Sequence, residues 1–185
     1  MNSNVELAQT PDQTVIEAER FVLRPLAVSD GGLLERYLGD ERVATMTRVI
    51  PHPLPPNYIA NMLDRAQNPT RTEDIWAIDG SVNGHAEVMG VIKLLRLDRD
   101  QCEIRYWVAP AFWNGGIATA AVEAILAANP QGSKDVYAEV FQDNPTSARV
   151  LSNAGFSYLG DAETFCVSRN AVIPTWTYVR KMTAA

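Results

Sequence analysis

Two glycines, Gly115 and Gly116, stand between a run that reads as a strand and a run that reads as a helix. Residues 102–108 alternate with the period of a half-buried strand, and Pro110 then removes a backbone donor and ends its ladder. Residues 117–128 are nearly all Ala, Val, Ile and Leu, with Glu123 the one charge, which is the composition of a buried helix. The first N–H groups of a helix have no intrahelical acceptor and carry the positive end of its dipole. Glycines in front of them let another group approach closely. A strand, a bare glycine turn and a helix N-terminus together form a phosphate cradle. The same pair is also compatible with a simple tight turn, because short glycine motifs recur by chance. Two other phosphate patterns are absent: no Lys-Ser or Lys-Thr follows the second glycine, and there is no three-glycine dinucleotide motif.

The other candidate for chemistry is a carboxylate on the same strand. Glu103, Arg105 and Trp107 share one face, opposite Ile104, Tyr106 and Val108. A carboxylate on an inner strand must be paired, solvated or working. Glu103 is therefore either an ion-pair partner of Arg105 or another arginine, or a base. His52 lies among prolines and His85 in a turn, with no metal-ligand neighbour at usable spacing, so no metal is expected. Cys102 and Cys166 read as small buried hydrophobes. Trp76, Trp107, Trp113 and Trp176 read as core or cleft walls, Trp107 being best placed to touch an acceptor.

The elements that must position these groups follow from pattern and punctuation. Residues 20–24 alternate as a first strand stopped by Pro25, and Ser29 or Asp30 caps a helix running to about residue 38. The proline-dense stretch 51–56 forbids regular structure and leads into a helix over about residues 57–66. Residues 74–78 and 88–97 read as strands, and Asp79-Gly80 and Asn83-Gly84 between them suggest a hairpin. After the central strand and helix come a strand at 135–141 and a helix from Asn144-Pro145 to about residue 154, stopped by Gly155. Residues 156–159 and 176–180 give the last strands. The expected fold is α+β: one domain over residues 15–185, with a mixed central sheet of about six to seven strands and about four helices. Residues 1–14 are polar and read as a flexible N-terminal tail.

Composition narrows the class. A chain of 185 residues is long enough for one full core. No apolar run approaches the roughly 20 residues of a membrane span, so no membrane partner is expected. The first 19 residues carry no Lys or Arg and no apolar block, which argues against a secretory signal. Two cysteines make no disulfide framework. A reducing, cytoplasmic setting fits best. The net charge of −6 argues against broad nucleic-acid binding and leaves room for a cationic partner such as an amine. A homodimer is the commonest default for oligomeric state.

With these residues in order, the chain resembles the GNAT superfamily of acyl-CoA N-acyltransferases. It is most similar to the branch that acetylates the N-termini of ribosomal proteins. The resemblance covers about residues 18–181. It rests on Glu19-Arg20-Phe21-Val22-Leu23-Arg24-Pro25, on Tyr106-Trp107-Val108 followed by Trp113-Asn114-Gly115-Gly116-Ile117-Ala118-Thr119, and on Asn144, Ser147, Val150-Leu151 and Gly155-Phe156. It implies acetyl-CoA as co-substrate, bound where the fourth and fifth strands splay apart. Trp107, Val108 and Trp113 would border its pantetheine arm, and the backbone around Val108 would pair with that arm and polarise the thioester carbonyl. The N–H groups of Asn114, Gly115, Gly116, Ile117, Ala118 and Thr119 would hold the pyrophosphate. Asn144 would touch the pantetheine, and Ser147 would lie near the sulfur and hydrogen-bond the leaving thiolate. Ser147 also reads as an ordinary residue of the first helical turn, and Asn144 as an N-cap.

The chain departs from the family's pattern at several positions. Asn114 stands where the branch has Gly, Gly115 where it has a cation, Ala120 where it has Glu, and Asn153 where it has Lys. Leu151 stands where many members carry a Tyr general acid, so the acid is unassigned. The implied reaction is acetyl transfer from acetyl-CoA directly to a primary amine, a protein or peptide N-terminal α-amine, with Glu103 as base. The alternatives are a polyamine or aminoglycoside acceptor, or a non-catalytic acyl-CoA-binding module. The segment 51–66 and the region 171–176 would face the acceptor.

Overall fold

The computed structural model describes residues 12–183. In chain order the elements are β1 (Ile16–Glu17), β2 (Val22–Pro25), α1 (Gly31–Leu38), α2 (Glu41–Ala44), α3 (Tyr58–Gln67), β3 (Glu73–Asp79), β4 (Gly90–Leu97), β5 (Gln101–Val108), α4 (Ile117–Ala128), β6 (Asp135–Phe141), α5 (Pro145–Asn153), β7 (Ser157–Cys166) and β8 (Ala171–Lys181). The strands make one mixed sheet in the order β1-β2-β3-β4-β5-β6-β8-β7. Every pairing is antiparallel except β5 with β6, which α4 joins as a crossover.

Helices cover both faces of this sheet. On one side α4 and α5 bring Ile117, Val122, Ile125 and Leu151 against Trp76, Ile78, Ile92 and Ile104. On the other, α1, α2 and α3 bring Leu34, Leu38, Val43 and Leu63 against Ile75, Ala77 and Val91. Burial on both faces explains why β3 is apolar along most of its length instead of alternating with polar residues. One charge sits within that sandwich. Asp74, 4% exposed, is bound by Arg71 at 2.7 Å, by Arg96, and by the Gln131 amide at 3.0 Å.

The α+β class is as read from the sequence, with eight strands and five helices among the described residues in place of about six to seven and about four. The additions are the two-residue β1 and the four-residue α2, both too short to leave a periodic signal. The last hairpin is longer than its sequence suggests. A bulge between Tyr158 and Gly160 carries β7 on to Cys166. Asp30 stands at the N-cap of α1, yet its carboxylate binds the Ala27 N–H at 2.8 Å and Arg24. Of the expected N-terminal tail, residues 1–11 lie outside the described residues. Gln13 donates to the Ile75 carbonyl at 2.8 Å, and the Thr14 carbonyl accepts from the Trp76 indole at 2.7 Å.

Candidate active site

The site begins where the sheet comes apart. β5 pairs with β6 only from Gln101 to Glu103, opposite Asp135 to Tyr137. Beyond that the two strands diverge, as the resemblance implied. The Ala109 N–H donates to the Met89 carbonyl at 2.8 Å, so alternation turns the backbone groups of Ile104, Tyr106 and Val108 away from β4 and into the gap. Within β5 the gap therefore has a free sheet edge, the surface onto which an extended amide chain adds. The Val108 carbonyl is already taken by the Trp113 indole at 2.6 Å, which leaves its N–H facing the gap. Gly90 keeps β4 close behind, since a Cβ there would lie 2.4 Å from the Trp107 carbonyl oxygen.

The glycine turn closes one end of the gap. Asn114 (φ 62) and Gly116 (φ 76) both adopt the left-handed conformation, which Asn and Gly tolerate best. Gly116 is the N-cap of α4, and the helix has neither a side-chain cap nor an acidic residue in its first turn. Its leading N–H groups therefore remain available to an anion. Arg20 donates to the Gly115 carbonyl at 2.6 Å and brings a positive charge to the position where the loop itself lacks one. A cleft of about 380 Å³ runs from this turn along the gap. Arg42 and Arg149 line it, with no carboxylate, and Arg42 lies over the Trp113 ring at 5.8 Å. Trp107, Val108, Trp113, Asn114, Gly116, Ile117, Ala118, Thr119, Asn144 and Ser147 all line this cleft, whereas Gly115 does not.

The other wall is α5. Asn144 caps it, its Oδ1 accepting the Ser147 N–H at 3.3 Å, and Pro145 occupies the first turn, where no backbone donor is needed. Gly155 (φ 82) stops the helix, with the Phe156 N–H bonded to the Leu151 carbonyl at 3.1 Å. The side chain of Leu151 is fully buried in the core. The hydroxyl that does reach the gap from β5 belongs to Tyr106, 3.0 Å from Ser147 Oγ and 3.2 Å from the Ser147 carbonyl. Burial pushes the Tyr106 phenol up to about 12.

A second cleft, about 410 Å³, opens on the sheet face that α1 and α3 cover. Here Glu103 is held by Arg48 and by Arg105, whose Nε is 2.9 Å away. Arg48 also binds Glu139 Oε2 at 2.7 Å, while Glu139 Oε1 has no partner among the described residues. Arg105 and Glu139 line the cleft. Lys93 pairs with Glu73 at 3.0 Å, and burial pushes its ammonium down against the pull of that carboxylate. The two clefts meet at Met46, Tyr106, Trp107, Asn144 and Ser147, which line both. A reactant held in one thus reaches a reactant held in the other beside the Tyr106–Ser147 pair.

Residues 20–157 match the family model of the acetyltransferase (GNAT) domain. The chain belongs to the GNAT acetyltransferase family. No curated protein matches it by sequence. Solved structures share the GNAT fold at low identity. RimL, the ribosomal L7/L12 alpha-N-protein acetyltransferase in complex with coenzyme A, is 16% identical over 93% of this chain and 100% of that one, with a TM-score of 0.77. The ribosomal-protein-S5-alanine acetyltransferase from Vibrio fischeri is 16% identical over 92% and 97%, with a TM-score of 0.75. A spermidine N-acetyltransferase from Vibrio cholerae, in complex with CoA and spermine, is 13% identical over 89% and 97%, also at 0.75.

On this GNAT frame, Tyr106, Arg48, Glu139, Arg42 and Arg149 are the site residues given no role by the sequence reading. Tyr106 is the partner of Ser147, Arg48 bridges Glu103 and Glu139, and Arg149 and the Asp40-paired Arg42 line the first cleft. Tyr106 had a signal. It is a polar-tipped residue on the face opposite Glu103, on a strand whose neighbour leaves it. Arg48 lies in an irregular segment, where no period fixes a direction.

Proposed function

We propose that this GNAT protein transfers an acetyl group from acetyl-CoA directly to a primary amine, the N-terminal α-amine of a protein or peptide. The observation that carries the reading is the meeting of the two clefts at Tyr106 and Ser147. One cleft has a bare helix N-terminus and no carboxylate in its lining, and the other carries Glu73 and Glu139 among Arg48, Arg65, Lys93 and Arg105. The residues present suit acetyl-CoA. The first-turn N–H groups of Ile117, Ala118 and Thr119, with Gly116, suit its pyrophosphate, and the open edge of β5 suits its pantetheine amides. Acetyl-CoA supplies an activated acyl group and a thiol leaving group.

The chain's own residues position groups and move protons. Tyr106 stays protonated across the neutral range, because its donor form is lost only as pH rises through about 12. Its O–H donates to the Ser147 carbonyl and lies 3.0 Å from Ser147 Oγ, so the two hydroxyls share a hydrogen bond at the junction. The Val108 N–H is placed beside the acyl oxygen as a hydrogen-bond donor. Glu139 Oε1 takes the amine proton, directly or through a water, while Glu103 anchors the Arg48 that orients Glu139. An α-amine, near 7.7–8.0, loses its proton near neutral pH with little help, whereas a Lys amine, near 10.4, needs a strong base. The carboxylates offered here already share Arg48, which suits the α-amine.

Thiol release from acetyl-CoA with a panel of N-terminal peptides, polyamines and aminoglycosides tests this. Release with peptides is the expected result. Release only with polyamines or aminoglycosides would reassign the acceptor. No release with any amine, while acetyl-CoA still raises the melting temperature, would make the protein an acyl-CoA-binding module.

A further inference from the structure

We infer that the acceptor carries an anionic group, a carboxylate or phosphate, one or two residues beyond the amine, seated by Arg65 at the end of the cleft where Lys93 and Arg105 also lie. This rests on the acetyl-transfer reading and names the class of its acceptor. The protein as a whole is acidic, with a net charge of −6. Its acceptor cleft has the opposite balance. Four cations line it or its wall, Arg48, Arg65, Lys93 and Arg105, against three carboxylates, Glu73, Glu103 and Glu139. Three of these cations are already paired, Lys93 with Glu73, Arg105 with Glu103, and Arg48 with Glu103 and with one oxygen of Glu139. Arg65, on the exposed side of α3, makes no ion pair among the described residues. The excess positive charge therefore lies at the α3 end of the cleft.

The spacing fits a short acceptor. Lys93 stands opposite Arg105 in the β4–β5 register, and Arg105 lies two residues before Trp107, where the clefts meet. Two strand residues span about 7 Å, and an extended peptide advances at the same rate. An anion on the second or third residue thus reaches Arg65 and Lys93 when the terminal amine is at Ser147. A second, independent observation is an unmatched polar group in the wall of the cleft. Thr175 forms part of its wall and is fully buried, and its Oγ1 has no hydrogen-bond partner among the described residues. A buried hydroxyl left unmatched is costly, and an acceptor's backbone amide supplies what it lacks. The same excess of cations disfavours a polyamine, whose second ammonium would face Arg65 and Lys93.

The test uses the full chain and matched peptides that differ only at the third residue, which is Glu, phosphoserine, Gln or Lys. Thiol release from acetyl-CoA is the readout. The expected kcat/KM for Glu over Lys is about fivefold to tenfold, shrinking with added salt. A larger value for phosphoserine than for Glu would identify phosphate as the preferred anion, and the reverse a carboxylate. In Arg65→Gln the preference falls towards unity, and in Arg65→Glu it reverses towards Lys. Both variants change an exposed helix position and keep the fold, which thermal melting verifies. Equal rates for Glu and Lys peptides in the unaltered protein would overturn the inference while leaving acetyl transfer standing. So would an unchanged preference in Arg65→Glu. Failure of every amine to release thiol would overturn the acetyl-transfer reading itself, and this inference with it.

Discussion

Tyr106 and Ser147 belong to different elements, β5 and α5, and they meet because β6 leaves β5 after Tyr137. In the proposed reaction their contact supplies the proton donor that α5 does not, since Leu151 is locked in the core. Tyr106→Phe keeps the ring and removes the O–H, so kcat should fall roughly tenfold, and more steeply than KM changes. Ser147→Ala should fall further, and the double variant little below Ser147→Ala, because the two act in one chain. The pH profile follows from the raised phenol. Its donor form persists below about 12, so the rate should hold to about pH 10 once the acceptor amine is deprotonated. A descending limb between about pH 8 and 9 would contradict this role. Glu139→Gln should lower kcat/KM by about a hundredfold, most at low pH, where less free amine is present. Glu103→Gln should cost less and at all pH values, since Glu103 acts through Arg48.

At the scale of elements, local chemistry in the sequence located most of the site. The alternation of β5, the glycine turn, the apolar α4, the Asn144-Pro145 start and the Gly155 stop each reflect a backbone requirement, and each stands where its pattern says. Long-range partners leave no such trace. Arg48 lies 55 residues from Glu103 and 91 from Glu139, and only the fold brings them together. Glu139 alternates on β6 like any half-buried polar residue, so its facing the cleft depends on a splay that the sequence does not spell out. Gly90 tests the splayed strand directly. A Cβ there meets the Trp107 carbonyl, so Gly90→Ala must shift the end of β5 that borders the donor cleft. The expected cost is about 1–3 kcal/mol in urea unfolding, with weaker acetyl-CoA binding by calorimetry. Unaltered binding at full stability would show that this end of β5 does not hold the donor.

The whole molecule supports the site by burying both faces of one sheet, and the exceptions to that burial are where its charges are spent. Among the described residues no helix is long and apolar enough to cross a membrane. Asp74 lies far in sequence from both Arg96 and Gln131 and ties β3 to β4 and to the turn after α4. Asp74→Ala would take the buried carboxylate from the Arg96 guanidinium and the Gln131 amide and should cost about 3–5 kcal/mol of stability, read as a lower urea midpoint at similar slope. Net charge was the least informative global quantity. An overall −6 leaves room for a cationic partner, while the second cleft is lined by Arg48, Arg65, Lys93 and Arg105 beside Glu73 and Glu139, and the field a substrate meets is set by the groups lining its cleft.

The central claim is direct transfer from a donor in the β5–β6 gap to an amine in the opposing cleft. The measurement that tests it most directly is a single turnover with acetyl-labelled acetyl-CoA and an N-terminal peptide, followed by mass analysis of both peptide and protein. The account predicts one labelled acetyl group on the peptide α-amine and none on the protein at any time. Label retained on the protein before the peptide is added, or released as free acetate with the peptide unmodified, would contradict it.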